Sequence, residues 1–225
     1  MAEHFTFVSQ HQDVLRGKPV IVPALSTGTA ERLAIDLLAT QPEFQRVGWL
    51  YSPLILPVTG SDALGKGSNL SFPIEVYSNS TITLVQIRSF VATGEEHNFV
   101  EGLCAWAQSV EASSLIVLAT TRSDAKRLAS DPEVFKIVNK EDFPFFNEVH
   151  AESLSSYGDY LGHFGLAKRF LKKSPLPTGA LFVYSGDTKY DVLRAEFLAE
   201  AASRSLSLPL QAGLKPSYWA SLLEY

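Results

Sequence analysis

One glycine-rich segment of this chain comes nearest to the sequence pattern of a known chemical site. Residues 60–67 are Gly-Ser-Asp-Ala-Leu-Gly-Lys-Gly, which match the Walker A pattern at every position except the last. In a Walker A loop the backbone N–H groups and the lysine hold phosphates, and a final Ser or Thr binds magnesium. Gly67 occupies the position of that hydroxyl, and the residues after it predict a strand, whereas a phosphate site needs a helix N-terminus. The segment therefore does not indicate nucleotide hydrolysis.

Histidine and cysteine residues do not combine into a catalytic or metal-binding pattern. His150-Ala-Glu152 matches half of the zinc deaminase signature, but a chain with one cysteine cannot supply the Pro-Cys-x-x-Cys half. Cys104 lies among apolar residues of a predicted helix, as a small buried hydrophobe does. The other histidines, which are His4, His11, His97 and His163, lack the spacing of metal ligands. We predict no catalytic residue, no metal and no cofactor.

A basic segment is the remaining cluster of charge. Lys168-Arg169 and Lys172-Lys173 alternate with apolar residues from Leu166 onward, which predicts an amphipathic helix with one basic face. A solvated face is the simpler interpretation, and a site for an acidic partner is the alternative.

The elements that would position these residues follow an α/β pattern at the start of the chain. The apolar run Val20–Pro23 is typical of a strand covered on both faces. Residues 33–38 have helical spacing after a possible cap at residues 26–28, and residues 47–51 predict the next strand. We expect a β-α-β unit in which the two strands pair in parallel.

A hairpin and a second α/β unit follow. Residues 74–77 and 82–90 predict two antiparallel strands. Thr93-Gly-Glu-Glu96 matches a capping box, which predicts a helix that begins there, and residues 114–120 predict another buried strand.

The second half of the chain gives a clear signal only near its end. Residues 122–177 have no clean periodicity, residues 180–184 predict a strand, and residues 188–206 predict a helix that Pro209 stops. We predict one α/β domain over residues 1–225, three layers with a mixed, mostly parallel sheet, followed by a short tail at 209–225.

Composition limits the function classes. The 225 residues include 46% hydrophobic and 19% charged residues, one cysteine and a net charge of −5. One cysteine excludes an internal disulfide framework, and the apolar runs are too short to predict a membrane span. No secretory signal is predicted at the start, so we expect an intracellular protein. The acidic net charge argues against nucleic acid, and the low charge content predicts a surface covered by a partner.

Six short motifs occur in order between residues 18 and 120. They are Pro-Ala-Leu-Ser-Thr-Gly (23–28), Leu-Ala-Ile-Asp-Leu (33–37), Val-Gly-Trp-Leu-Tyr (47–51), Pro-Val-Thr-Gly (57–60), Glu-Val-Tyr (75–77) and Gln-Ile-Arg-Ser (86–89). This order resembles the proteasome assembly chaperone 2 family. A glycine-rich turn of that family corresponds here to residues 162–168, Gly-His-Phe-Gly-Leu-Ala-Lys.

The resemblance implies a protein without an active site, built on a phosphorylase/hydrolase-like sheet. It further implies a heterodimer with proteasome assembly chaperone 1 that binds the α-subunit ring and promotes assembly of the 20S proteasome in the cytoplasm and nucleus. Family members often dock through a C-terminal hydrophobic-Tyr-any motif. The corresponding residues here are Leu223, Glu224 and Tyr225, with Tyr last rather than penultimate. We predict that these residues contact the ring while the partner chaperone supplies the main anchor.

Two alternatives remain. The first is a small-molecule enzyme of the nucleoside phosphorylase or hydrolase type, with a site in the loop at residues 53–69 that includes Lys66. The second is an α/β interaction module whose partner is unrelated to the proteasome.

Overall fold

A mixed sheet of nine strands forms the centre of the protein. The computed structural model describes residues 5–8, 12–26, 28–62, 64–66, 70–122, 133–140, 143–151, 165–185 and 191–223. Its strands are β1 (Thr6–Val8), β2 (Val20–Pro23), β3 (Gln45–Tyr51), β4 (Gly60–Ser61), β5 (Leu70–Ser71), β6 (Ile74–Ser78), β7 (Thr83–Ile87), β8 (Leu115–Arg122), β9 (Val134–Val138), β10 (His150–Ala151) and β11 (Thr178–Ser185). The strand order is β1-β3-β6-β7-β2-β8-β11-β9-β10, while β4 and β5 form a separate ribbon.

Helices cover both faces of this sheet. They are α1 (Ala30–Thr40), α2 (Glu96–Ser109), α3 (Ala167–Lys173), α4 (Asp191–Leu206) and α5 (Trp219–Leu223), and a 3-10 turn spans Gln12–Leu15. Alternate residues of β2 point to opposite faces, so Ile21 packs with α1, α4 and α5 while Val20 and Val22 pack with α2 and α3. The predicted three-layer α/β fold with a mixed sheet is confirmed. None of the helices in the described ranges is long and apolar enough to cross a bilayer.

The predicted parallel pairing of the first two strands is wrong. β2 and β3 run in the same direction, but β6 and β7 lie between them, because β2 pairs with β7 and β3 pairs with β6. Every residue of β6 and β7 is buried, whereas β3 has a partly exposed pattern. Burial on both faces places the hairpin inside the sheet and moves β3 toward its edge.

The predicted helix caps also differ from the structure. The cap of α1 is Thr29 and does not lie within residues 26–28, and the Thr29 hydroxyl bonds Asp191 without capping the helix. α2 begins at Glu96, and its carboxylate accepts a hydrogen bond from the N–H of Gly94 at 3.3 Å without a cap from the Thr93 side chain. The preceding chain is held by a backbone hydrogen bond from Ala92 to Leu54, and Gly94 forms a turn at φ +87°. The helix therefore starts later than the capping box predicts.

The region without clean periodicity contributes two strands that the sequence did not predict. β9 pairs antiparallel with β11, and β10 pairs in parallel with β9. Both are short, and β9 alternates between buried and half-buried residues.

The directions of the strands bring several candidate functional residues to one edge of the sheet. β3, β7, β2, β8 and β11 run in the same direction, so their C-terminal ends lie along one edge of the sheet. We call it the carboxyl edge. Ligand sites of open α/β sheets commonly occur at this edge.

Candidate functional site

A buried ion network joins three of the sequence motifs. The Arg88 guanidinium donates to both Asp36 oxygens at 2.9 and 3.0 Å and to Glu75 Oε2 at 2.5 Å. The hydroxyl of Tyr77 donates to Glu75 at 2.9 Å, and that of Tyr218 donates to Asp36 at 2.7 Å. The network ties α1, β6 and the residue before α5 to the end of β7.

The charges of this network are fully paired. Arg46 donates to the other oxygen of Glu75 at 2.8 Å, so all four carboxylate oxygens of Asp36 and Glu75 accept hydrogen bonds. Burial alone would lower the pKa of Arg88, but the two carboxylates raise it above its usual value. Burial raises the pKa of Tyr77, and the neighbouring carboxylate of Glu75 raises it further. The arrangement holds elements together rather than transferring protons.

A second polar cluster lies at the carboxyl edge, where β2 and β8 end. Glu31 Oε1 accepts hydrogen bonds from the N–H and the hydroxyl of Ser26 at 2.8 and 3.1 Å. The Ser26 hydroxyl in turn accepts from the N–H of Thr120 at 2.8 Å. Glu31 is fully buried, and its Oε2 has no hydrogen-bond partner within the described ranges. Burial raises the pKa of Glu31 to about 7.

Asp191 completes this edge at the start of α4. Its carboxylate accepts from the N–H and the hydroxyl of Thr29 at 2.7 and 2.9 Å and from the hydroxyl of Ser185 at 3.0 Å. Gly28 has φ +102°, and a Cβ there would lie 3.1 Å from Asp191. The Ser-Thr-Gly of the first motif was the one sequence signal for this arrangement. No local pattern indicated that Thr29 would contact Asp191, 162 positions later.

These clusters position the loops of the carboxyl edge. A carboxyl group with a pKa near 7 suits general acid–base chemistry. In Glu31, however, Oε1 already accepts the hydrogen bond from the N–H of Ser26, in the segment between β2 and α1. The described residues contain no group of three or more His, Cys, Asp or Glu side chains that could bind a metal ion.

The glycine-rich loop holds its lysine against helix α1 and the turn after it. Lys66 Nζ donates to the carbonyl oxygens of Gln41 and Phe44 at 2.7 and 2.9 Å, and burial lowers the pKa of Lys66. The strand predicted after the loop is present as β5, which pairs with β4. No helix begins among the described residues of this loop, whereas a phosphate site requires a helix N-terminus.

The predicted environment of Cys104 is confirmed. It is 3% exposed in α2, and burial raises the pKa of its thiol to about 11. His97 lies 3.1 Å from Glu101, and His150 is exposed in β10. The remaining histidines and Glu152, which are His4, His11, His163 and Glu152, lie outside the described residues.

The C-terminal segment is anchored before the predicted ring-binding residues. Trp219 is 1% exposed and packs in the core beside α4, next to the Tyr218–Asp36 hydrogen bond. Leu223 is the last residue of α5, while Glu224 and Tyr225 lie outside the described residues. Their contact with a proteasome ring stays a prediction.

Exposed apolar side chains lie at the carboxyl edge beyond β3 and β7. Tyr51 and Phe90 are 62% and 66% exposed, and Leu56 and Val58 are each 48% exposed. The N–H of Leu56 donates to the carbonyl of Phe90 at 2.9 Å, which brings their two loops together. We call these four residues the apolar patch. Exposed hydrophobic residues that lie close together, as Leu56 and Phe90 do, are typical of protein-binding surfaces.

Comparison with protein families and curated proteins adds independent findings. The model described as the PAC2 family matches residues 20–208. Proteasome assembly chaperone 2 of Nematostella vectensis is 27% identical over 201 residues, which cover 76% of this chain and 82% of that protein. Proteasome assembly chaperone 2 of Homo sapiens is 30% identical over 115 residues, which cover 48% of this chain and 44% of the human protein.

Solved structures support the same fold. Pyrococcus furiosus PbaA, described as an archaeal homolog of proteasome-assembly chaperone, superposes with a TM-score of 0.73 at 16% identity, covering 98% of this chain and 93% of PbaA. P. furiosus PbaB, described as an archaeal proteasome activator, has a TM-score of 0.65 at 15% identity, with 99% and 94% of the chains covered. At these identities the likeness concerns the fold alone.

Proposed function

The chain belongs to the PAC2 family, and on that premise we propose that it is a non-enzymatic chaperone that promotes assembly of the 20S proteasome. It acts in the cytoplasm and nucleus as a heterodimer with proteasome assembly chaperone 1, bound to the α-subunit ring. The carrying observation is the match to relatives named proteasome assembly chaperone 2. The ion network of Asp36, Glu75 and Arg88 supports it, because this network unites three motifs of the resemblance in space.

The proposal that the protein is not an enzyme is supported by the state of its polar groups. Lys66, the cation of the alternative nucleoside site, binds two backbone carbonyls. The carboxylates of Asp36 and Glu75 are saturated by guanidinium and hydroxyl donors. These groups stabilise the fold and offer no free nucleophile or base.

We assign the partner chaperone to the apolar patch. Aromatic side chains are enriched in protein interfaces, and Phe90 and Tyr51 are more than half exposed. Backbone hydrogen bonds from Leu56 to Phe90 and from Ala92 to Leu54 fix the loops before binding, which lowers the entropic cost of association. The Arg32 guanidinium lies 5.8 Å from the centre of the Phe90 ring and adds a positive charge at the rim.

The ring-binding role of Leu223, Glu224 and Tyr225 is part of this proposal. The hydrogen bond from Tyr218 to Asp36 and the buried Trp219 hold the preceding residues against the core. Because the residues before the tail are already ordered, they lose no further conformational entropy when the tail binds.

Co-expression with proteasome assembly chaperone 1 of the same organism tests the partner surface. We expect the unmodified chain to co-purify as a heterodimer and the double variant Leu56→Ser/Phe90→Ser to lose it. The matched control is Leu193→Ser/Phe197→Ser, which removes two apolar side chains from the outer face of α4, 49% and 36% exposed. Loss of the heterodimer in the control with retention in the patch variant contradicts this surface.

A further inference from the structure

A basic groove lies between α3 and the segment that follows β2. Its volume is about 640 Å³. It is lined by Leu25, Glu96, Gly165, Leu166 and four cations, Lys168, Arg169, Lys172 and Lys173. Gly165 and Leu166 lie against the backbone of the β2–α1 connection, where the N–H of Leu166 donates to Ala24 at 2.7 Å. The groove therefore adjoins the carboxyl edge but is separate from the apolar patch.

The faces of α3 divide its residues cleanly. Ala167, Phe170 and Leu171 are buried against α2 and the sheet. The four cations occupy the opposite side in two rows, Lys168 with Lys172 and Arg169 with Lys173, each at a spacing of four residues. The predicted amphipathic basic helix is thus confirmed as a structure.

Only one of these rows meets acidic side chains. Lys173 lies 3.4 Å from Glu101. Hydrogen bonds from the backbone N–H groups of Glu96 and Gly94 lower the pKa of Glu96, and the positive charge of Arg169 lowers it further. Within the part of the chain that the structure describes, no carboxylate lies within ion-pair distance of Lys168 or Lys172.

The unpaired row is not explained by the stability of α3. Like charges four residues apart on a helix repel each other, and cations in the first turn oppose the helix dipole. Leu25, at the wall of the groove, has φ +49°, a strained conformation for a residue other than glycine. Such unfavourable features concentrate at binding sites.

We propose that this groove binds an acidic polypeptide segment of a partner protein. Two carboxylates of that segment pair with Lys168 and Lys172, and an apolar side chain between them packs on Leu25 and Leu166. Charge complementarity favours this occupant, because Lys168 is half-buried, Lys172 is exposed, and no carboxylate among the described residues lies within ion-pair distance of either ammonium group. The inference does not rest on the proposed chaperone function.

Other anionic occupants fit less well. Glu96 lines the groove and Glu101 pairs with Lys173, so a continuous phosphate backbone meets more repulsion there than two carboxylates spaced to reach Lys168 and Lys172. A single phosphate is best held by backbone N–H groups at a helix N-terminus or by bidentate arginine. Arg169, the one arginine that lines the groove, acts on Glu96, while Lys168 and Lys172 are separate point charges that can each pair with one carboxylate.

Fluorescence anisotropy with a labelled peptide, Gly-Glu-Glu-Leu-Glu-Glu-Gly, tests the groove on the full chain. We expect binding that weakens with added salt, and a loss of about tenfold in affinity in Lys168→Gln/Lys172→Gln. Lys140→Glu changes the net charge by the same amount at an exposed site elsewhere and should bind as the unmodified chain does. Circular dichroism establishes that each variant is folded.

Three results overturn the inference. The first is equal affinity of the unmodified chain and the double lysine variant for the peptide. The second is equal binding of a peptide with Gln in place of Glu. The third is tighter binding of oligothymidylate or of phosphatidylserine vesicles, either of which assigns the groove to another polyanion. None of these outcomes affects the heterodimer test, because that test depends on Leu56 and Phe90.

Discussion

At the residue scale, burial changes the protonation of Glu31. Its pKa rises from 4.5 to about 7 in the folded chain. Between these values the unfolded chain loses the proton while the folded chain keeps it, so the contribution of Glu31 to stability is present below pH 4.5 and is lost as the pH rises to about 7.

Replacing Glu31 with Gln removes this titration. The free energy of unfolding of Glu31→Gln relative to the unmodified chain should increase by about 3 kcal/mol between acidic and neutral pH, an order-of-magnitude figure from the pKa difference. Urea unfolding at several pH values measures it. Parallel stability curves for the two proteins contradict the buried, protonated state of this carboxyl.

Gly165 tests the close approach of two backbone segments. Its φ is +54°, and a Cβ there would lie 2.5 Å from Ser26 Cα and 2.6 Å from the Ala24 carbonyl. Gly165→Ala should lower the free energy of unfolding by about 2 kcal/mol or more. Gly17→Ala is the control, because φ is +74° but no atom lies within 4 Å of the added Cβ. A cost equal to that of the control would show that the contact does not constrain the turn.

At the element scale, Arg88 links α1, β6 and the end of β7. Arg88→Met leaves Asp36 and Glu75 buried with fewer partners, so we expect a loss of about 3–5 kcal/mol in unfolding free energy. Arg16→Met removes a pair with Glu111 in which both side chains are more than half exposed, and should cost less than about 1 kcal/mol. Similar losses in thermal or urea unfolding would contradict the structural role of the network.

The hydrogen bond from Tyr218 to Asp36 attaches α5 to α1. Tyr218→Phe keeps the ring and removes the donor, so it should cost about 1–2 kcal/mol and leave the fold intact. Hydrogen exchange should rise at α5 and stay unchanged in α2. Unchanged exchange at α5 would mean that Trp219 alone holds the segment.

Several elements could be predicted from local patterns, but their arrangement could not. β2, α1, β8 and α4 follow apolar runs and helical spacing, which are local properties. The pairing of β3 with β6 depends on burial of the hairpin by helices from distant sequence, and the sequence of β9 is too weakly patterned to predict a strand. Local sequence cannot contain these choices because they arise from tertiary packing.

The candidate site shows the same limit. The motifs that contain Asp36, Glu75 and Arg88 were visible in the sequence, but their union in one ion network was not. The carboxyl edge and the apolar patch depend on strand order, and the partners of Lys66 depend on how its loop folds back on Gln41.

At the scale of the whole molecule, we propose three surfaces of different chemistry. We assign a partner chaperone to the apolar patch, the proteasome ring to the tail that follows the anchored Tyr218 and Trp219, and an acidic segment to the basic groove. The low charge content of the chain, 19%, agrees with a protein whose surface is partly covered in its assembled state.

We propose that this chain is one half of a chaperone for the proteasome α-ring. Native mass spectrometry of the chain co-expressed with proteasome assembly chaperone 1 and the α-subunits of the same organism tests it most directly. We predict a heterodimer of one copy of each chaperone, also found bound to an α-ring, with fewer rings when this chain is omitted. A chain that stays alone, with ring yield unchanged by its omission, contradicts the claim.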